Sequence, residues 1–147
     1  MLRVLAAVAA LAIGATVVLA QNAAVIEQRK QAMKAFGGAA KSGGAMAKGE
    51  APFDLAKAHE SLKTIETKVG EVKNLFPDDS KMGDTAALPE AFANKADLMA
   101  KFDKLAADAK AAEAAVKDEA SFKTEWPKVT GNCGGCHKAY RKPPPQK

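Results

Sequence analysis

Apolar residues recur every three to four positions in four stretches of this chain, with polar residues filling the opposite side of each turn. That is the period of amphipathic helices. The first stretch runs from about Asn22 to Lys48 and aligns Ile26, Arg29, Met33, Phe36 or Gly37, Ala40 and Gly44 along one stripe. The glycine pairs Gly37-Gly38 and Gly43-Gly44 weaken it locally, so packing must hold it helical. After Gly49-Glu50-Ala51-Pro52, the second stretch opens on Asp54 as N-cap and sets Ala58, Leu62, Ile65, Val69, Val72 and Phe76 on one face. Pro77-Asp78-Asp79 ends it, and a long connection reaches Leu88. Pro89 is placed to be the first residue of the third helix, which presents Phe92, Met99, Phe102, Ala106 and Ala109. The fourth opens between Asp118 and Ser121 and turns Phe122, Trp126, Val129, Cys133, Cys136 and Tyr140 inward, with Pro127 expected to kink it or delay its start. The pattern predicts an all-α chain, an antiparallel four-helix bundle.

The ends of the chain read differently. Met1-Leu2-Arg3, the apolar run from Val4 to Leu19 and the closing Val18-Leu19-Ala20 have the three parts of a secretory signal, with cleavage expected after Ala20. A retained membrane anchor is the alternative, and the small residues at 18 and 20 favour removal. Pro143-Pro144-Pro145 cannot continue a helix. The expected organisation is therefore a signal over 1–20, one helical domain over 21–142 and a disordered tail over 143–147.

Charge and composition mainly exclude. The formal net charge is +5, but lysines alternate with acids along the helices and no basic cluster interleaves with aromatics, which argues against nucleic acid as a partner. There is no nucleophile beside a base, no paired-carboxylate site and no phosphate-binding glycine loop, so turnover of an organic substrate is not expected.

The chemistry lies in Cys133-Gly134-Gly135-Cys136-His137, a C-x-x-C-H run that is the attachment sequence of a c-type haem. Two thiols three residues apart reach one edge of the porphyrin, and the adjacent imidazole falls beneath the iron. Both cysteines of the chain are used, so no disulfide remains to be assigned. A thioredoxin-like thiol pair would need a nearby strand-helix-strand pattern, which is missing from the sequence. Structural zinc would need a fourth ligand, and the remaining histidine, His59, sits among lysines and glutamates as a solvated helical residue would. A zinc-binding or thiol-redox helical protein stays as the alternative of a different class. Export agrees with the haem reading, because thioether attachment takes place outside the bacterial inner membrane.

A haem motif in the last helix of a bundle resembles the class II cytochromes c, that is, cytochrome c′ and its low-spin methionine-ligated relatives. The points of likeness are Gln28-Arg29-Lys30 with Met33 and Phe36, Lys48-Gly49-Glu50-Ala51-Pro52-Phe53-Asp54, Leu75-Phe76-Pro77, and the ending Cys133 to Arg141. The resemblance implies that Cys133 and Cys136 are thioether anchors and that His137 is the axial iron ligand. It puts Arg29 near a haem propionate with Lys30 beside it among the cofactor contacts, and Arg141 beside the axial histidine, roles suited to a guanidinium. It implies one haem c per chain, a periplasmic location, redox protein partners, and a homodimer paired through the first two helices, where Ala39, Ala40, Gly43 and Gly44 permit close approach.

Met33 is placed by the same resemblance on the distal face of the haem. If its thioether binds iron, the haem is six-coordinate and low-spin, a dedicated electron carrier. If it only packs there, the iron is five-coordinate and admits NO or CO through an apolar pocket. Methionine is a common gap-filler in helical cores, which favours packing. The primary expectation is thus a His-ligated haem protein that transfers single electrons and/or binds NO or CO, with His137/Met33 ligation as the alternative.

Overall fold

Capping chemistry sets most helix ends in the computed structural model, which describes residues 2–144, with side chains from Asn22 onward. Helix α1 (Leu2–Lys48) stops in a Schellman motif. Gly49 takes φ +74°, its N–H donates to Met46 O at 3.1 Å, and the Glu50 N–H donates to Ala45 O at 2.8 Å. Only glycine occupies that left-handed position without a steric penalty. Asp54 caps α2 (Leu55–Val72) by accepting the Lys57 N–H at 3.1 Å. Asp118 opens α5 (Glu119–Tyr140) through a reciprocal capping box with Ser121. The signal expected over 1–20 falls on side chains outside those described, and most of the expected tail lies beyond Pro144.

Three boundaries differ from the pattern's expectation. Helix α2 ends at Val72, before Pro77, and Pro77 instead leads a short 3₁₀ turn over Asp78–Ser80. Pro89 precedes a single turn, α3 (Glu90–Ala93), and Asn94 at φ −110°, ψ 47° breaks the chain before the long helix α4 (Lys95–Ala115). Pro127 neither stops nor delays α5, which begins at Glu119 and runs through it. A proline inside a helix costs about 3 kcal/mol. Burial of Phe122, Trp126 and Val129 on the same helix supplies the packing that offsets it.

The long helices close a ring: α1 packs against α2 and α5, α2 against α4, and α4 against α5. Two side-chain hydrogen bonds give the direction of the last pair. Asn132 Nδ2 donates to Asp108 at 2.7 Å, and Tyr140 donates to Asp97 further along, so residue numbers rise on α5 as they fall on α4. The fold is an antiparallel four-helix bundle. Ala58, Leu62, Ile65, Val69 and Val72, predicted for the inner face of the second helix, are buried on α2, and Phe76 is buried just beyond its end. On α1 the buried set is Ile26, Arg29, Ala32, Ala39, Gly43 and Met46, while Met33, Phe36, Ala40 and Gly44 are half-buried. The stripe is rotated by about one position because α1 covers two neighbouring helices.

Two aromatic groups fill the interior. Phe122 lies 5.1 Å from Trp126 and 5.7 Å from Phe53, while Phe76 lies 5.8 Å from Phe92 and 5.9 Å from Phe102. The long connection after α2 is held at its far end by an antiparallel bridge between Ala87 and Arg141. Its Leu88 N–H donates to Tyr140 O at 2.9 Å, and the Lys142 N–H returns to Ala86 O at 2.8 Å.

Candidate haem site

Cys133, Cys136 and His137 share the last two turns of α5. Both cysteines are free thiols, half-buried. Burial pushes each thiol above its usual pKa, with the Lys101 charge partly opposing this at Cys136. His137 lies at the surface. Partial desolvation of its ring first, and the Arg141 guanidinium second, lower its pKa, which favours the neutral imidazole that a metal requires. A Cβ built on Gly134 or Gly135 would meet nothing within 4 Å, so the helix surface between the thiols is open.

The segment is clamped on both sides to α4. Before it, Asn132 bonds Asp108 and also donates to the carbonyls of Lys128 and Val129, each at 3.1 Å. Behind it, Tyr140 donates to the Asp97 carboxylate, which sits below the usual carboxylate range mainly because of that bond. The same bond, reinforced by desolvation, raises the Tyr140 phenol to about 12. Neither clamp was singled out in the sequence. The partners are 24 and 43 residues apart, and no local signal connects them.

Helices α1, α4 and α5 each carry apolar residues that are incompletely covered. Met33 and Phe36 of α1, Met99 and Ala106 of α4 and Cys136 of α5 all pack against the core while remaining partly exposed. The donor set fits a covalently attached haem: two half-buried thiols three residues apart and an imidazole adjoining the second. His59, the fourth ligand a zinc site would need, is on α2.

Arg29 is placed differently from the other predicted cofactor contacts. Its side chain is 5% exposed and enters the connection after α2. Nη1 donates to Leu75 O and Ser80 Oγ, each at 2.7 Å, and Nη2 donates to Ser80 O at 2.7 Å and Thr85 Oγ1 at 3.3 Å. The guanidinium carbon lies 5.0 Å from the Phe76 ring centroid and 5.3 Å from that of Phe92. Four of its five N–H groups are thus engaged within the protein, and the Nε–H is the one left for another acceptor. Lys30 is exposed and pairs with Asp84 at 2.8 Å and Glu27 at 3.4 Å. Arg141 forms the bridge to Ala87, and its N–H donates to His137 O at 3.1 Å.

The profile of the cytochrome c′ family matches residues 24–141. The chain is 48% identical over 118 residues to cytochrome c′ of Rhodopseudomonas palustris, covering 80% of this chain and 81% of that one. It is 37% identical over 117 residues to cytochrome c-556 of Agrobacterium fabrum, covering 79% and 80% respectively. The solved structure of Rhodopseudomonas palustris cytochrome c′ superposes with a TM-score of 0.79 at 47% identity, over 82% of this chain and 98% of that one. An antiparallel helical bundle that carries two half-buried thiols and an adjoining imidazole on its last helix, and that the family matches from residue 24 to 141, is therefore a class II cytochrome c: the chain belongs to the cytochrome c′ family and carries a covalently attached haem c.

Proposed function

We propose that Cys133 and Cys136 form the two thioethers and His137 the axial bond to iron in a periplasmic protein that moves single electrons and admits NO or CO opposite His137. The observation that carries this reading is the juxtaposition on α5 of two half-buried thiols and a surface imidazole. When bound, the haem supplies a one-electron redox centre and a coordination position for a small ligand.

The chain's own residues do the rest. Gly134 and Gly135 keep side chains away from the porphyrin edge. Desolvation together with Arg141 lowers the His137 pKa and so favours the neutral imidazole, the form that can ligate. The Asn132–Asp108 and Tyr140–Asp97 bonds hold the ligating segment against α4. Met33 and Phe36 present an apolar wall, which favours neutral diatomic ligands over anions. The role in this reading is that of an electron carrier or ligand binder. The signal over 1–20 delivers it for haem attachment, and pairing of two copies through α1 and α2 completes the proposed assembly.

His137/Met33 ligation is the second reading, favoured by the position of Met33 on the half-buried side of α1. Absorption spectra of the mature haem-loaded protein, ferric and ferrous, with and without CO, separate the two. A high-spin ferric spectrum and a ferrous form shifted by CO support the open site. A far-red sulfur-to-iron band that disappears in Met33→Leu establishes methionine ligation. Protein lacking covalent haem sinks both.

A further inference from the structure

Arg29 and His137 sit on different helices, yet an unbroken chain of contacts joins them through the connection between α2 and α3. Arg29 Nη2 donates to Thr85 Oγ1 at 3.3 Å. The same oxygen accepts the Ala87 N–H at 3.1 Å. Ala87 bridges Arg141, and the Arg141 N–H closes the last turn of α5 on His137 O at 3.1 Å. The Thr85 carbonyl accepts Lys142 Nζ at 2.9 Å, and Leu88 and Ala86 exchange backbone bonds with Tyr140 and Lys142. Thr85 is thus the node where the guanidinium of α1 meets the strap that holds the end of α5.

The strap has little else to keep it in place. Most of its residues from Lys81 to Ala86 are exposed, and Met82 is 74% exposed. Its inner hold is Ser80, fully buried, which accepts from Arg29 through both Oγ and O and donates its own hydroxyl to Pro77 O at 2.8 Å. Lys30 and Asp84 add an exposed pair alongside, of the kind that contributes little. A buried guanidinium with four donors committed to one loop and its face between two phenyl rings is far more rigid than that surface pair.

We infer that Arg29 is a positioning residue for the ligating end of α5: by pinning Ser80 and Thr85 it holds the strap that fixes Tyr140, Arg141 and Lys142, and through them the last turn carrying His137. The functional meaning rests on the haem reading above, in which Met33, one turn after Arg29, faces the other side of the same group. One side chain then ties the helix bearing Met33 to the turn bearing His137.

Amide hydrogen exchange on the haem-loaded full-length mature protein tests this. In Arg29→Gln and Arg29→Lys, the Leu88 and Lys142 amides are expected to exchange at least roughly tenfold faster, since each variant removes charge-assisted bonds to the strap. The Phe122 amide, which donates to Asp118 O at the opposite end of α5, keeps its rate. The milder Thr85→Val removes only the node oxygen. It moves the same two amides in the same direction, and combining it with Arg29→Gln adds less than the sum. The ferric absorption spectrum of each variant shifts while its thioether linkage persists. Unchanged rates at Leu88 and Lys142 would overturn the inference, as would rates raised equally at Phe122, because Arg29 would then only stabilise the bundle as a whole. A haem-free parent protein would instead defeat the functional reading and leave the exchange result to stand by itself.

Discussion

Gly43 of α1 lies so close to the indole of Trp126 on α5 that a Cβ there would sit 2.3 Å from Cζ2 and 2.4 Å from Cη2. No real Cβ tolerates such a distance, and the ring cannot swing away easily because it is buried against Phe122. Gly43→Ala should therefore destabilise the protein by about 1–3 kcal/mol through overpacking, even though alanine gains roughly 1 kcal/mol of helix propensity over glycine. Gly38→Ala, with nothing within 4 Å of its Cβ, should show the propensity gain alone. Urea unfolding of both variants decides the matter: a Gly43→Ala protein as stable as its parent means the contact yields without cost.

Phe122 joins the aromatic group that connects the α1–α2 turn to α5, through Phe53 at 5.7 Å and Trp126 at 5.1 Å. It is fully buried. Phe122→Ala should cost about 3–5 kcal/mol by leaving a cavity among rigid rings, and Phe122→Leu should retain most of that. Thermal unfolding of the two variants is the check. A loss below about 1 kcal/mol for the alanine variant would mean that the rings collapse into the space.

Tyr140 is the single tyrosine of the chain, so its titration reports one group. Its bond to the Asp97 carboxylate, with desolvation, raises the phenol to about 12. A raised pKa stabilises the fold fully below the unfolded value near 10 and loses that contribution as pH rises toward 12. Ring carbon chemical shifts followed by NMR should place the native midpoint well above that of the unfolded chain. Asp97→Asn should bring it down, and a native midpoint near 10 in the parent would contradict the bond.

Acid should loosen the structure from the carboxylate side. Asp78 is held below its ordinary pKa by Lys95, Asp84 by Lys30, Asp108 by Lys104 and Asn132, and Asp118 by the Ser121 N–H. Depressed folded values mean that the contribution is present above the unfolded pKa near 4 and is lost as pH falls through the folded values. The urea midpoint should be flat between pH 5 and 8 and should drop below about pH 4, least steeply in a variant carrying Asp108→Asn and Asp118→Asn. A midpoint that rises on acidification would reverse the sign of this argument.

Legibility followed the range of the interaction. Asp54 and Asp118 could be read as caps because a capping side chain meets N–H groups within its own first turn. The apolar residues buried on α2 could be read because that helix buries one stripe, which leaves only the buried Ser61 unread. The third helix was read as one piece beginning at Pro89, whereas the chain spends one turn in α3 and turns again at Asn94 before α4. Nothing in the apolar spacing marks that break, since Phe92 is buried on one side of it and Leu98 on the other. Pro127 is the opposite case: a strong local breaker signal is overruled by packing that local sequence does not display.

The same division holds at the site. The sequence alone determined the haem motif, because its two thiols and its imidazole fall within five consecutive residues on a single helix. It also determined the bundle, because helix period and capping are properties of neighbouring residues. Only the tertiary structure decided that Arg29 reaches Leu75, Ser80 and Thr85, 46 to 56 residues away, that Gly43 makes room for Trp126, and that Asn132 and Tyr140 clamp the motif to α4. The physical reason is that a buried donor or a close-packed ring accepts whatever complementary group the fold brings to it. The pattern along the chain records that a position is buried, and it leaves open against what.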